Sequence, residues 1–212
     1  MGILFTRNIN NATVGLWEIT ESVDVLFSKI KLNNEENELY NSFKNDTRKL
    51  HWLSYRNLLM ELITPEEYSH VIYDDNGKPY LADNSHHLSV SHSGKFSAAV
   101  ISKTKSVGID IEIIHPKIEK VIHKYLSDEE IKNIGTTSRF EKLYIYWSAK
   151  ESLYKLYGKR NLLFQENILI KPFIYSEKGE ITGSIITEKM NQDFKLFYEK
   201  IHDYILVYTL AD

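Results

Sequence analysis

The sequence predicts an α+β protein built as two similar α/β halves, residues 1–105 and 106–212, with mainly antiparallel sheets, a pseudo-twofold relation and an active site in the cleft between the halves. Three observations predict this. First, Ser54-Tyr55-Arg56-Asn57-Leu58-Leu59-Met60-Glu61-Leu62 lies without a gap on Ser148-Ala149-Lys150-Glu151-Ser152-Leu153-Tyr154-Lys155-Leu156, at an offset of 94 residues. Second, each copy precedes a glycine-containing hairpin (Gly77, Gly179) and a final apolar strand, 98–101 and 205–208. Third, residues 168–175, 180–186, 194–199 and 204–210 alternate in polarity as antiparallel strands do. The shared order of the two copies implies duplication, and a cleft between such halves is a favoured ligand site.

Taken in order, residues 3–19 alternate short apolar runs with polar turns and predict one or two strands about the turn at 8–11. Residues 33–62 read as helical, with Leu50, Leu53, Leu58, Leu59 and Leu62 as the apolar side and Arg48, Lys49 and Arg56 as cations. Thr64-Pro65-Glu66-Glu67 has the form of a capping box with proline at the first helical position, which predicts a short helix. Asp75-Asn76-Gly77 is a hairpin turn that delivers Lys78 to the next strand. Residues 88–102 predict two strands about a turn at Ser91-His92-Ser93-Gly94. In Val107-Gly108-Ile109-Asp110-Ile111-Glu112 the period is two, so Asp110 and Glu112 project from one face, and Gly108 beside them leaves room for a ligand to approach the backbone. Ser127-Asp128-Glu129-Glu130 is a second capping box, leading towards a helix over 140–158 that is apolar round most of its circumference yet carries Lys150, Glu151, Ser152 and Lys155.

Composition narrows the function. A length of 212 residues with 42% hydrophobic content suffices for a full core, and the absence of cysteine excludes disulfides and thiolate metal sites, so any metal must sit on oxygen or imidazole. The net charge of −3 disfavours extended nucleic-acid binding while leaving a local phosphate pocket open. No apolar run approaches the ~20 residues of a membrane span, and the first residues lack the pattern of a secretory signal, so a cytoplasmic monomer without membrane contact is expected. His86, His87, His92 and His115 have no metal-site spacing, and Ser152-Leu153-Tyr154-Lys155 lacks the partner motifs of serine acyl enzymes.

Charge on a buried helix costs several kcal/mol unless it is paired or holds a ligand. Glu151 and Lys155 share a face, and Glu151 joins Asp110 and Glu112 as a third carboxylate 41 residues after Asp110. Crowded carboxylates repel, and a hard cation such as Mg²⁺ resolves that repulsion. Lys150 and Lys155, with Arg48, Arg56, Lys78 and His92 from the first half, suit a polyphosphate ligand. The plainer readings are an ordinary helical ion pair for Glu151 and Lys155, and a solvated strand edge for Asp110 and Glu112.

These residues resemble the 4′-phosphopantetheinyl transferases, in particular their larger, single-chain pseudo-dimeric type, typified by the enzyme that activates surfactin synthetase. The family signature is (V/I)-G-(I/V)-D followed about forty residues on by (F/W)-(S/C/T)-x-K-E-(S/A)-x-x-K. Here Val107-Gly108-Ile109-Asp110 and Trp147-Ser148-Ala149-Lys150-Glu151-Ser152-Leu153-Tyr154-Lys155 meet every position, and Gly77-Lys78-Pro79 and Ser91-His92-Ser93 match the upstream motifs in order. The chain departs from the family in scattering Lys29, Lys31 and Lys44 ahead of Arg48, and in placing Ser89 where asparagine is favoured. The resemblance implies Mg²⁺-dependent transfer of the phosphopantetheine arm of coenzyme A to a serine of an apo acyl or peptidyl carrier protein, releasing adenosine 3′,5′-bisphosphate. By the same resemblance Asp110, Glu112 and Glu151 hold Mg²⁺, Lys150 and Lys155 neutralise phosphate, and Arg48, Lys78, Ser91 and His92 hold the nucleotide on the first half. Glu151, as base, and Lys155 are its catalytic pair. The alternative is a non-catalytic module that binds coenzyme A or docks a carrier protein on the same fold.

Overall fold

Asn10 and Asn11 both adopt left-handed backbone (φ 46° and 66°) and close the first hairpin, between β1 (Ile3–Ile9) and β2 (Ala12–Glu18). The computed structural model describes residues 2–211. The chain divides into two compact units, Met1–Lys105 and Ser106–Asp212. Every strand pairing among the described residues is antiparallel, and no helix among them is long and apolar enough to cross a membrane.

In the first unit, β2 passes to α1 (Val23–Ser28), α2 (Asn34–Ser42) and α3 (Asp46–Leu62). The expected single helical stretch over 33–62 is thus broken, because Phe43 turns extended and Asn45 caps a new helix by accepting from the Arg48 amide. The small pair β3 (Val71–Tyr73) and β4 (Pro79–Leu81) is closed at Gly77, whose φ of 83° suits glycine. With β5 (His87–Ser93) and β6 (Phe96–Ser102), the main sheet runs β1-β2-β6-β5. Leu53, Leu58 and Leu59 of α3 pack on Trp17, Ala99 and Ile101 of that sheet to form its core.

Two local expectations fail. Residues 64–67 form a turn, not a helix: the amides of Glu67 and Tyr68 both return to the Thr64 carbonyl at 2.9 Å, and the Glu67 carboxylate pairs with Lys103 at 2.5 Å as well as bonding Thr64. The turn expected at 91–94 begins later: β5 continues through Ser93, and Gly94 (φ 52°) makes the bend, so Ser91 and His92 lie on a strand.

The second unit opens with β7 (Ser106–Ile113), then a 3₁₀ segment (Pro116–Val121), α4 (Ile122–Tyr125), α5 (Asp128–Ile134), α6 (Arg139–Tyr157) and α7 (Phe164–Asn167). Strands β8 (Ile168–Ile170), β9 (Lys178–Thr187), β10 (Met190–Ile201) and β11 (Tyr204–Ala211) complete a sheet of order β7-β11-β10-β9-β8. Helix α6 ends at Gly158, left-handed at φ 68°, and buries Leu143, Ile145, Ala149 and Leu153 in the core with Ile205 and Val207.

The 94-residue offset reaches further than the nonapeptide. Asn33 and Glu36 form a capping box on α2, as Ser127 and Glu130 do on α5. In each case the glutamate of the box reaches a buried cation on the next long helix: Glu36 accepts from Arg56, and Glu130 from Lys150. The strand order β2-β6-β5 in one unit matches β7-β11-β10 in the other.

Candidate active site

Strand β7 is buried on both faces. Val107, Ile109 and Ile111 are buried on the face opposite α6, while Gly108 and Asp110 turn towards α6. A Cβ on Gly108 would lie 2.0 Å from the Ser152 carbonyl oxygen, so glycine is required for the helix backbone to come this close. That corrects the expectation of ligand access: the space beside Gly108 is filled by α6. Ser152 locks the approach by donating from Oγ to the Val207 carbonyl at 3.0 Å, and Val207 is the register partner of Asp110 on β11.

The close approach sets the functional groups. Asp110 is 3% exposed, and Lys155 donates from Nζ to Asp110 Oδ1 at 2.8 Å and to the Ile109 carbonyl at 2.9 Å. Glu151, one turn before Lys155, is partly buried. Burial, then the Asp110 carboxylate, pushes the Glu151 carboxyl up to about 7; Lys155 opposes the rise and Glu112 adds to it. Thus Asp110 and Glu112 both lie within electrostatic reach of Glu151. Among the described residues, however, no three His, Asp or Glu side chains are gathered closely enough to hold a metal. The Lys155 ammonium is bound to Asp110. The donor set nonetheless fits a hard dication, being all oxygen and strained by its own charge.

Lys150 lies elsewhere. Expected among the phosphate contacts, it is instead fully buried, donating to Glu130 Oε2 at 2.7 Å and to the Phe164 carbonyl at 2.8 Å. Burial pulls its ammonium down from the ordinary lysine value, with Glu130 opposing. Glu130 also accepts from the amides of Ser127 and Ile170, each at 2.8 Å, and so ties α5, α6 and β8 together. Sequence reading missed Glu130 as part of this support, although the offset that maps Arg56 onto Lys150 also maps Glu36 onto Glu130. Arg56 is likewise structural: it stacks over Trp52 (3.5 Å to the ring centroid) and bonds Glu36, Tyr55 and the Val71 carbonyl.

On the first unit, Arg48 is exposed in the first turn of α3, with its guanidinium 5.4 Å from the centre of the Phe43 ring. His92 stacks on His51 at 4.3 Å between centroids, and His51 Nε2 lies 2.8 Å from the Gly94 carbonyl oxygen. His51 went unnoticed in the sequence, although it lies three residues after Arg48 on the same helix and therefore on a shared face. Ser91 is buried on the same strand as His92. Lys78 follows the Gly77 turn, its amide held by Asp74 Oδ1 at 2.8 Å; burial lowers its ammonium pKa, with Asp74 opposing.

The strand–helix pair that bears Asp110, Glu151 and Lys155 lies inside the segment that is similar to known proteins. Residues 106–209, almost the whole second unit, match the sequence model of the 4′-phosphopantetheinyl transferase superfamily. Among individual proteins, the chain is 28% identical over 117 residues to the 4′-phosphopantetheinyl transferase AcpT of Escherichia coli K12, covering 52% of this chain and 59% of AcpT. It is 28% identical over 95 residues to the putative 4′-phosphopantetheinyl transferase slr0495 of Synechocystis sp. PCC 6803, covering 41% and 39% of the two chains. The AcpT of Salmonella typhi is 26% identical over 117 residues, covering 52% and 60%. The matched region therefore spans about three fifths of the AcpT relatives.

Proposed function

We propose that this protein is a 4′-phosphopantetheinyl transferase that uses Mg²⁺ to move the phosphopantetheine arm of coenzyme A onto a serine of an apo acyl or peptidyl carrier protein, releasing adenosine 3′,5′-bisphosphate. The observation that carries the reading is the Asp110–Lys155–Glu151 constellation, with Glu151 pushed up to about 7, inside the segment that matches the superfamily. Asp110, Glu112 and Glu151 are the residues that would hold Mg²⁺. When bound, the ion supplies charge neutralisation on the pyrophosphate and on the leaving bisphosphate.

The protein's own groups do the rest. Lys155 donates to a phosphate oxygen as negative charge grows on it. Glu151, one helical turn from Lys155 and beside Asp110, takes the serine proton as general base. The serine Oγ–P bond forms, the P–O bond of the anhydride breaks, and the electron pair leaves with the bisphosphate. Arg48, Lys78, Ser91 and His92 of the first unit suit the nucleotide end of coenzyme A, with His51 orienting the His92 ring by stacking. Lys150 is a positioning residue, holding α6 through Glu130.

The test is incubation of the full chain with coenzyme A, Mg²⁺ and apo carrier proteins, read by mass spectrometry of the carrier. Transfer should add one phosphopantetheine to the carrier serine, stop with a chelator, and fall by ~10² to 10⁴ in Glu151→Gln, the usual cost of losing a general base. Coenzyme A binding without transfer to any carrier would leave the non-catalytic module as the function.

A further inference from the structure

We infer that Lys155 is a tethered counter-cation that holds the carboxylate site shut: it occupies Asp110 until a divalent cation displaces it, and is therefore the competitor against which that metal binds. The inference rests on the reading of Asp110, Glu112 and Glu151 as the metal-binding set and adds to it. Two bonds fix the ammonium, one to Asp110 Oδ1 at 2.8 Å and one to the Ile109 carbonyl at 2.9 Å, and together they imitate oxygen ligation of a small cation. The position is desolvated, since the Asp110 side chain is 4% exposed. The Lys155 side chain is 26% exposed, so its flexible stem has an open side towards which the ammonium can swing. A dication and an ammonium on the same carboxylate repel strongly in such surroundings, so one must leave. The displaced ammonium is then available to a phosphate, and metal and polyphosphate assist one another's binding.

The experiment titrates the full-length protein with Mn²⁺ as probe, without coenzyme A, at pH 8.0, and follows free Mn²⁺ by electron paramagnetic resonance. Wild type, Lys155→Met and Glu151→Gln are compared, with circular dichroism as a check on folding. Removing the competing charge should tighten Mn²⁺ binding by about 10-fold or more in Lys155→Met, whereas Glu151→Gln should weaken it by a similar factor. Unchanged or weaker binding by Lys155→Met, with loss in Glu151→Gln, overturns the competitor role and leaves the metal site standing. Wild-type binding by Glu151→Gln overturns the metal site and the inference with it. Should Lys155→Met fail to fold, the wild type decides: reductive methylation of Lys155, read by peptide mass spectrometry, should speed up on adding saturating Mg²⁺, and an unchanged or slower rate overturns the inference.

Discussion

At the scale of single residues, Glu151 carries a consequence for stability that is separate from turnover. Its folded-state pKa is about 7 against an ordinary value of 4.5, so the metal-free folded protein keeps a proton that the unfolded chain releases. Stability contributed by this group is therefore full below about pH 4.5, declines as pH rises to about 7, and stays low above that. Allowing for its partial exposure, the loss amounts to about 1–3 kcal/mol. In chelator, Glu151→Gln should flatten this decline and be more stable than wild type at pH 8, measured by urea unfolding at several pH values. Mg²⁺ should raise the wild type at pH 8 by mass action and leave the mutant nearly unmoved. A mutant no more stable than wild type at pH 8 would mean that the carboxylate repulsion is relieved in some other way. Asp110 and Glu151 were legible in sequence because strand period and helical spacing fix the faces on which they lie. The partner of Lys150 was not, since Glu130 acquires its position through a capping box and a loop whose path no local pattern records.

At the scale of elements, the site depends on how closely α6 lies on β7. Gly108→Ala would force the Ser152 carbonyl away from a Cβ placed 2.0 Å from it, and overpacking of this kind usually costs about 1–3 kcal/mol. The helix shift should also carry Glu151 and Lys155 off their register with Asp110, so transfer should fall more than the melting temperature would suggest; equal loss of both would place Gly108 in the core alone. Lys150 gives the complementary case. Breaking a buried ion pair by removing one partner costs about 3–5 kcal/mol, so Lys150→Met should lower thermal stability markedly, and Glu130→Gln in the same chain should recover part of it. Its Michaelis constant for coenzyme A, measured where the variant is folded, should be unchanged. A raised constant would restore Lys150 to the phosphate contacts that its place in the motif implied. The turn at 64–67 also takes a distant partner, since Lys103, 36 residues away, pairs with the same Glu67 carboxylate that bonds Thr64.

At the scale of the whole molecule, the repeated frame carries different chemistry in its two copies. Where α6 presents Glu151, Ser152 and Lys155, α3 presents Asn57, Leu58 and Glu61, and Asn57 spends its side-chain amide on the Leu26 and Leu53 carbonyls, 3.1 and 2.9 Å away. The first unit retains the helix-on-sheet packing and the buried cation–glutamate pair without the acid set, so its part in the proposed reaction rests on Arg48, Lys78, Ser91 and His92. Arg48 is the sharpest probe because it is exposed, touches only the Phe43 face through its guanidinium among the ring contacts described, and lies outside the core. Arg48→Ala should therefore fold like wild type. A charge-assisted phosphate bond contributes roughly 1.5–3 kcal/mol, so the Michaelis constant for coenzyme A should rise by ~10-fold or more while the maximal rate changes little. Combined with Glu151→Gln, which acts on the rate, the two effects should multiply, as expected for residues without shared partners. Steady-state transfer kinetics on the two single variants and the double variant measure all of this, and an unaltered coenzyme A constant in Arg48→Ala would remove the first unit's helix from nucleotide binding.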